Sequence, residues 1–527
     1  MSKAKRTRSS AFFTSFGLLL FLFVYPFFLH NRYFKMTLGK TVFFCCAAFI
    51  FAAGCLIEAA ASRPKKQIKL LRKNRTELYF GLFLFTAAVS CAASQYPIEA
   101  LTGANGRYMG LLTLLVIGIA YLFISRCGRL TRPVAMIFGA SVAVMSMISL
   151  LQFRGHDPFG LYVGTKETVR INFMSLVGNK DVYYSYLALT VPFAMYQSHE
   201  AAGTKEKVFW HAVEFFGFAG VFACNSEGAY LGILPAFLFL FFTKCKEKTG
   251  LLVFLRTVAM FVAAALLAAL IKPDLSQFGI KESLIMQLLL KPLVCAAALL
   301  FVALICLAVW KFPVGAGFCK ALRIAVACLL AVGAAGLVGA FVYFTFFNKT
   351  ADIGSFSEFL RFDACYWGNK RGYVWSRLLR LFKEFPIYRM LIGSGPETVG
   401  MLMQGAFKEE MLKKTGMTFD NAHNEFIQYL ITQGILGLLS YLLFVFNAVK
   451  SGLQKGDRFR KAAALCCVCY LAQSVVNISQ AITTPLFFVF LALTQTVDES
   501  TGTQAAVKPN AKPTVKTNNR SQKSPKK

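Results

Sequence analysis

The sequence predicts an all-α polytopic membrane protein of about 14 transmembrane helices, with one long extracytoplasmic loop carrying short amphipathic helices. Three observations predict this class. The 527 residues are 56% hydrophobic and 15% aromatic, with 54 Phe and a mean hydropathy of +0.55, well above the range of soluble globular chains. Apolar blocks of about 17 to 25 residues recur along nearly the whole length, each long enough to cross a hydrocarbon core of about 30 Å as a helix. With the basic start MSKAKRTRSS placed in the cytoplasm, RPKKQIKLLRKNR at 63–75 and KSGLQKGDRFRK at 450–461 also come out cytoplasmic, as the positive-inside rule requires.

The helix starts are read near Ala11, Met36, Glu77, Arg107, Pro133, Val182, Val208, Gly228, Leu251, Pro292, Ile324, Phe426, Ala462 and Pro485. The first block resembles a signal peptide only in its basic start: its apolar run is about twice a usual h-region, so it is expected to stay as a helix. The transmembrane domain therefore spans 11–497, after a basic cytoplasmic N-terminus of 1–10. Residues 348–425 form the long loop, where SRLLRLFKEFPIYRMLIG has amphipathic pieces and GSGPE marks a turn. Its short helices are expected to pack on the outer membrane face as a small cap. The tail 498–527 is polar and lysine-rich, and is expected to be disordered and cytoplasmic. No internal repeat supports an inverted-repeat transporter.

The formal charge of +32 invites a nucleic-acid reading, but most Lys and Arg sit in short loops between apolar blocks. Such juxtamembrane cations set topology and attract anionic lipid headgroups, so no nucleic-acid partner is expected. Most of the 15 cysteines, among them Cys45, Cys46, Cys55, Cys295 and Cys306, lie inside apolar runs and read as small hydrophobes. Cys466, Cys467 and Cys469 lack a second Cys or His cluster, so a metal site is not expected.

Chemistry-bearing residues collect in the loops assigned outside. Arg107, Arg170, Arg361, Arg371, Arg377, Arg380 and Arg389 are more cations than the positive-inside rule predicts there. One reading leaves them solvated or against headgroups; the other has a few converge on an anionic group, whose oxygens a guanidinium grips bidentately. Of the five histidines, His423 alone sits in an outer polar knot, DNAHNE, just before a helix. It could help cap that helix with Asp420, Asn421 or Asn424; equally, an imidazole of ordinary pKa near 6.5 can take a proton from a hydroxyl. Gly434 and Gly437 in QGILGLL read as a packing face for a neighbouring helix.

RGYVW, FPIYRMLIGSGPE and AHNEFIQYLITQGILGLLSYL, in that order, resemble the signature region of the O-antigen ligase and Wzy-type polymerase superfamily. TGANGRYMG, LVGNKDVYYSYLALTVPFAMY and NSEGAYLGILPA extend the resemblance more weakly upstream. It implies a GT-C-like glycosyltransferase of the bacterial cytoplasmic (inner) membrane. The implied reaction moves a glycan from a polyprenyl (undecaprenyl) diphosphate carrier, outside the membrane, to an acceptor hydroxyl on a glycan, glycolipid or glycoprotein. No cofactor or metal is implied, and the reaction would invert the donor's configuration. The resemblance implies His423 as the acceptor base and Arg371, four residues before Trp375, as the diphosphate ligand; beside them Arg170, Arg107 and Asn424 are read as further substrate-binding candidates, the two arginines as sources of positive charge. One departure stands out: Ser226-Glu227-Gly228-Ala229 replaces the usual Ser-Arg-Gly-Ala, putting an acid where an arginine is expected. Ligase and polymerase share these motifs. A transporter or flippase of lipid-linked saccharide is the alternative class, and would place ionisable residues deep in the spans, where Glu58, Glu214 and Arg256 are the main candidates.

Overall fold

The computed structural model describes residues 14–61, 68, 72, 74–104, 106–170, 172–275 and 282–496. The basic N-terminus 1–10 and the tail 498–527 lie outside the described residues, as does most of the 63–75 loop. A helix begins within four residues of each expected start except Ile324, whose helix begins eight residues earlier, at Ala316. The first eleven are α1 (Thr14–Phe27), α2 (Met36–Ala61), α3 (Arg75–Ala92), α4 (Leu111–Cys127), α5 (Arg132–Phe153), α6 (Lys180–Glu200), α7 (Thr204–Ala223), α8 (Glu227–Lys244), α9 (Lys248–Ile271), α10 (Pro292–Lys311) and α11 (Ala316–Phe347). The long loop folds into α12 (Arg371–Glu384), α13 (Ile387–Ile392) and α14 (Val399–Thr415); α15 (Glu425–Lys455), α16 (Arg458–Ser474) and α17 (Thr484–Thr494) follow. Among the described residues, seven helices are long and apolar enough to cross a membrane: α2, α5, α8, α9, α10, α11 and α15. Helices α1, α4 and α17 are apolar but shorter.

Asn74, Asn179, Asn424 and Asp457 cap α3, α6, α15 and α16, each side chain accepting a backbone N–H of the first turn. Helix α4 starts at Leu111 rather than Arg107, because the backbone has positive φ at Gly103, Gly106 and Tyr108. A two-residue antiparallel pairing of Phe173–Met174 with Gly178–Asn179, which helical periodicity does not announce, precedes α6.

Burial sorts the helices. Helix α15 packs along α3 and α16, and α16 also packs along α6 and α8, forming the interior. Helices α10 and α11 stay at the edge, and none of the apolar window of α11 is covered by protein. Lipid would solvate such a face at no cost, which is why a membrane helix need not be amphipathic.

The connections after α1, α3, α5, α7, α9, α11 and α16 gather at one end. Hydrogen bonds tie them together: Tyr33 Oη to Ser175 O (2.8 Å), Ser94 Oγ to Ser394 O (2.7 Å), Ser283 N to Asn225 Oδ1 (2.6 Å) and Asn477 Nδ2 to Asp181 O (2.8 Å). The opposite end is laced by ion pairs, including Arg132 and Arg458 with Glu206 (2.9 and 3.1 Å) and Arg126 with Glu77.

The long loop has a small core of its own, in which Tyr373, Val374 and Leu378 of α12 pack with Val399, Met403 and Met411 of α14 and with Phe419, Ala422 and Ile431. The apolar face of α12 is thus spent on α14 and the start of α15. Arg377 forks onto Glu410 through Nη2 (2.6 Å) and Nε (3.2 Å) and lies over the Tyr373 ring, closing this cap. That pair holds the Glu410 carboxyl down at about 2, Lys414 assisting.

Candidate active site

The three motifs that are separate in sequence meet at two junctions. Trp375 Nε1 of RGYVW donates to the carbonyl of Ala422, the residue before His423, at 2.9 Å. The second junction joins IGSGPE to QGILG. Gly434 breaks α15 with φ 69° and ψ −172°, and the carbonyls released by the break accept from the loop: Ser394 N to Ile431 O at 3.1 Å and Gly395 N to Thr432 O at 2.9 Å. A Cβ on Gly434 would fall 2.3 Å from the Leu391 carbonyl oxygen, and one on Gly393 would fall 2.3 Å from the Thr432 carbonyl carbon. The two glycines are needed because backbone meets backbone here, with positive φ on both sides. The QG dipeptide is therefore a helix break. Gly437 keeps the packing role, with the Thr86 side chain of α3 close by.

The His423 turn is built residue by residue. Asn421 Oδ1 accepts from His423 N (3.0 Å), and Gln428 Oε1 reaches back from α15 to Ala422 N (3.1 Å). These bonds hold His423 at φ 49°, a left-handed conformation that costs a non-glycine residue about 1–2 kcal/mol. Helix capping falls to Asn424, whose Oδ1 accepts from Phe426 N and Ile427 N at 3.0 Å each. The imidazole is thereby released from the capping role that its position allowed, while the Asn424 oxygen expected on substrate is committed to backbone.

Two guanidiniums flank the imidazole. Arg107 Nη2 binds Asp420 Oδ1 at 2.7 Å. Arg371 opens α12 after three consecutive positive-φ residues, Gly368, Asn369 and Lys370. Its Nη1 donates to Gly368 O (3.1 Å), its Nε is buried without an acceptor, and among the described residues no carboxylate forms an ion pair with it. The Arg107 Nε is likewise buried and unpartnered. Burial, then Arg371 and then Arg107 push the His423 imidazole down to about 4, with Asp420 opposing them. At neutral pH the ring is uncharged and able to accept a proton. Beside the Arg107–Asp420 pair lies Glu397, a buried carboxyl at φ 59°, raised to about 7 by burial, against the pull of Arg107 and with the push of Asp420. Chemically, this is a neutral base between cations with open donors, suited to an anion and a hydroxyl side by side.

The arginine expectation divides. Arg107 and Arg371 converge on His423. Arg170 does not: its Nε donates to Thr165 O (3.3 Å), Glu167 lies 3.7 Å from its Nη1, and it lines a separate cavity. Arg377 and Arg380 are taken by Glu410 and Glu384. Glu227, the departure from the family pattern, accepts from Leu284 N (2.8 Å) and so anchors the start of a short helix, Leu284–Leu289. Sequence reasoning missed Glu397 and the positioning roles of Trp375 and Gln428. A glutamate in a loop is ordinary, and only the bond between distant segments reveals the tryptophan's task.

Comparison with protein families matches residues 292–442 to O-antigen ligase, a segment running from α10 through the break in α15. No curated protein matches the chain. The matched segment contains Arg371, Trp375, both glycines of the helix break and His423, and over these residues the chain is similar to the O-antigen ligase family.

Proposed function

We propose that this chain is a member of a ligase- and polymerase-type membrane enzyme family and transfers a glycan from a polyprenyl diphosphate carrier to an acceptor hydroxyl at the outer face of the bacterial cytoplasmic membrane. On this reading the fourteen helices α1–α11 and α15–α17 all span, and the end bearing His423 faces away from the cytoplasm. The observation that carries the proposal is the placement of an unpaired Arg371 beside a neutral His423, with Trp375 locking the two motifs together. Arg371 would take the diphosphate oxygens, and Arg107 would share its guanidinium between them and Asp420.

The acceptor O–H would lie against His423, which takes the proton as the acceptor oxygen bonds to the anomeric carbon. The bond from that carbon to the diphosphate breaks, and the electron pair leaves with the diphosphate, whose charge the guanidiniums hold. Attack from the face opposite the leaving group inverts the configuration. A diphosphate leaves readily, so fixed cations supply what the step needs without a metal. Before the donor arrives, the arginines keep the imidazole a weak base; a bound diphosphate offsets their field and raises its basicity. Base strength is thereby tied to donor occupancy.

Reconstitution with a polyprenyl diphosphate saccharide and candidate acceptors, with and without chelator, tests the reading. Product should form in both conditions and disappear in His423→Ala, which should still insert and fold. Undiminished transfer by His423→Ala would remove the base assignment, and loss with chelator would remove the metal-free mechanism.

A further inference from the structure

Arg170, which does not reach His423, faces a cavity of about 180 Å³ at the same end of the molecule. Its lining includes Gln152 and Arg154 from the end of α5, Tyr162, Glu167 and Arg170 from the segment that follows, and Pro273 just beyond α9. The walls are fixed. Asp157 accepts from Leu161 N and Tyr162 N (2.9 and 2.7 Å), Tyr162 Oη donates to Phe173 O (2.8 Å), and Gln152 Nε2 donates to Tyr33 Oη (2.9 Å).

The charge inside is not balanced. Among the described residues Arg154 has no carboxylate in ion-pair range, and Arg170 has one, Glu167, 3.7 Å away with its side chain 74% exposed. A pair that loose and wet contributes little and leaves the guanidinium available. The other acid of this loop, Asp157, accepts from the backbone N–H groups of Leu161 and Tyr162. Two planar forks therefore share one small, walled space.

We propose that this cavity binds a phosphate group at the membrane surface, separately from the donor diphosphate at His423. Size and position select that ligand. The volume is below the roughly 300–1,000 Å³ of pockets that enclose drug-sized molecules, so it takes a headgroup or a single phosphorylated sugar. The cavity sits where α5 and α9 end, and both are long and apolar enough to cross a membrane, which puts its mouth at headgroup depth. Guanidinium forks match phosphate oxygens bidentately. The phosphate could belong to an anionic phospholipid or to a phosphorylated glycan, and the chemistry of recognition is shared.

Arginine footprinting separates the sources and does not depend on glycosyl transfer. The full-length protein in phosphatidylcholine nanodiscs is treated with phenylglyoxal alone, with glucose 6-phosphate, or after phosphatidylglycerol is included in the bilayer, and modification is read by peptide mass spectrometry. Arg154 and Arg170 should be protected together in one of the two anionic arms, while Arg380, with its side chain 65% exposed on α12, should react equally in all. Protection by the soluble sugar phosphate identifies a glycan phosphate; protection by phosphatidylglycerol alone identifies a lipid headgroup. In Arg154→Gln the ligand concentration needed to protect Arg170 should rise about tenfold, the loss expected for one charge-assisted hydrogen bond. Unchanged reactivity at both arginines in every arm, or protection that extends equally to Arg380, overturns the proposal.

Discussion

Titrating His423 tests the electrostatic core of the site directly. The imidazole sits at about 4 instead of 6.5, and at 1.36 kcal/mol per pH unit that gap is roughly 3 kcal/mol of preference for the neutral ring. Burial supplies the largest part, and the guanidiniums of Arg371 and Arg107 add to it. Carbon-13 NMR of histidine-labelled protein in nanodiscs, with His423→Gln to assign the signal among the five histidines, should give an apparent pKa near 4 without donor. Adding a non-hydrolysable polyprenyl diphosphate analogue should raise it, because the diphosphate offsets the arginines. Arg371→Gln should also raise the donor-free value while reducing kcat/KM, so basicity and catalysis move in opposite directions in that variant. The sign of the stability effect follows. Between pH 6.5 and about 4 the unfolded chain binds a proton that the folded chain refuses, so stability falls as pH falls through that window, and His423→Gln should flatten the dependence. A donor-free pKa at or above 6.5, or a fall when the analogue binds, would refute the reasoning.

Other perturbations read the supporting contacts. Trp375→Phe removes the Nε1 donor to Ala422 O together with part of the ring that packs on Trp367; it should cost at least about 1 kcal/mol in thermal unfolding and lower kcat with little change in donor KM. Gly434→Ala places a Cβ against the Leu391 carbonyl in a left-handed conformation, so it should lose at least about 1–2 kcal/mol and show an earlier transition by differential scanning fluorimetry. Glu397 ionises near pH 7, adding negative charge beside Arg107 as pH rises; donor KM should climb above pH 7 in the native enzyme and stay flat in Glu397→Gln. Glu227→Gln keeps an acceptor for Leu284 N and should resemble the native protein. Glu227→Arg sets a cation against that N–H, and hydrogen exchange at Leu284 should accelerate about tenfold or more, the cost of a hydrogen bond to a charged group.

Much of the architecture was legible because membrane helices announce themselves through local composition. A run such as PLVCAAALLFVALICLAVWK has one structural solution in lipid, and α10 follows it closely. Boundaries shifted where backbone conformation intervened, as at Arg107, which lies in a loop of positive-φ residues and not at a helix start. The reading of Gly434 and Gly437 as a packing pair was half met, since Gly434 sits where the helix opens to admit Ser394 and Gly395. The loop helices were visible in SRLLRLFKEF, but the partner for their apolar face was not, because amphipathicity shows that a face must be covered and leaves open by what.

By itself, the sequence determined the helical membrane class, the order of the helices and the candidacy of His423 and Arg371, because hydropathy and motif spacing are properties of neighbouring residues. Tertiary structure alone decided which arginines share the histidine's field, drawing Arg107 in from more than 300 positions away and leaving Arg170 to a separate cavity. It also turned Glu227 onto a backbone N–H and released His423 from capping by giving that task to Asn424. The physical reason is that pairing and pKa are set by distance through space, and distance along the chain carries no record of it.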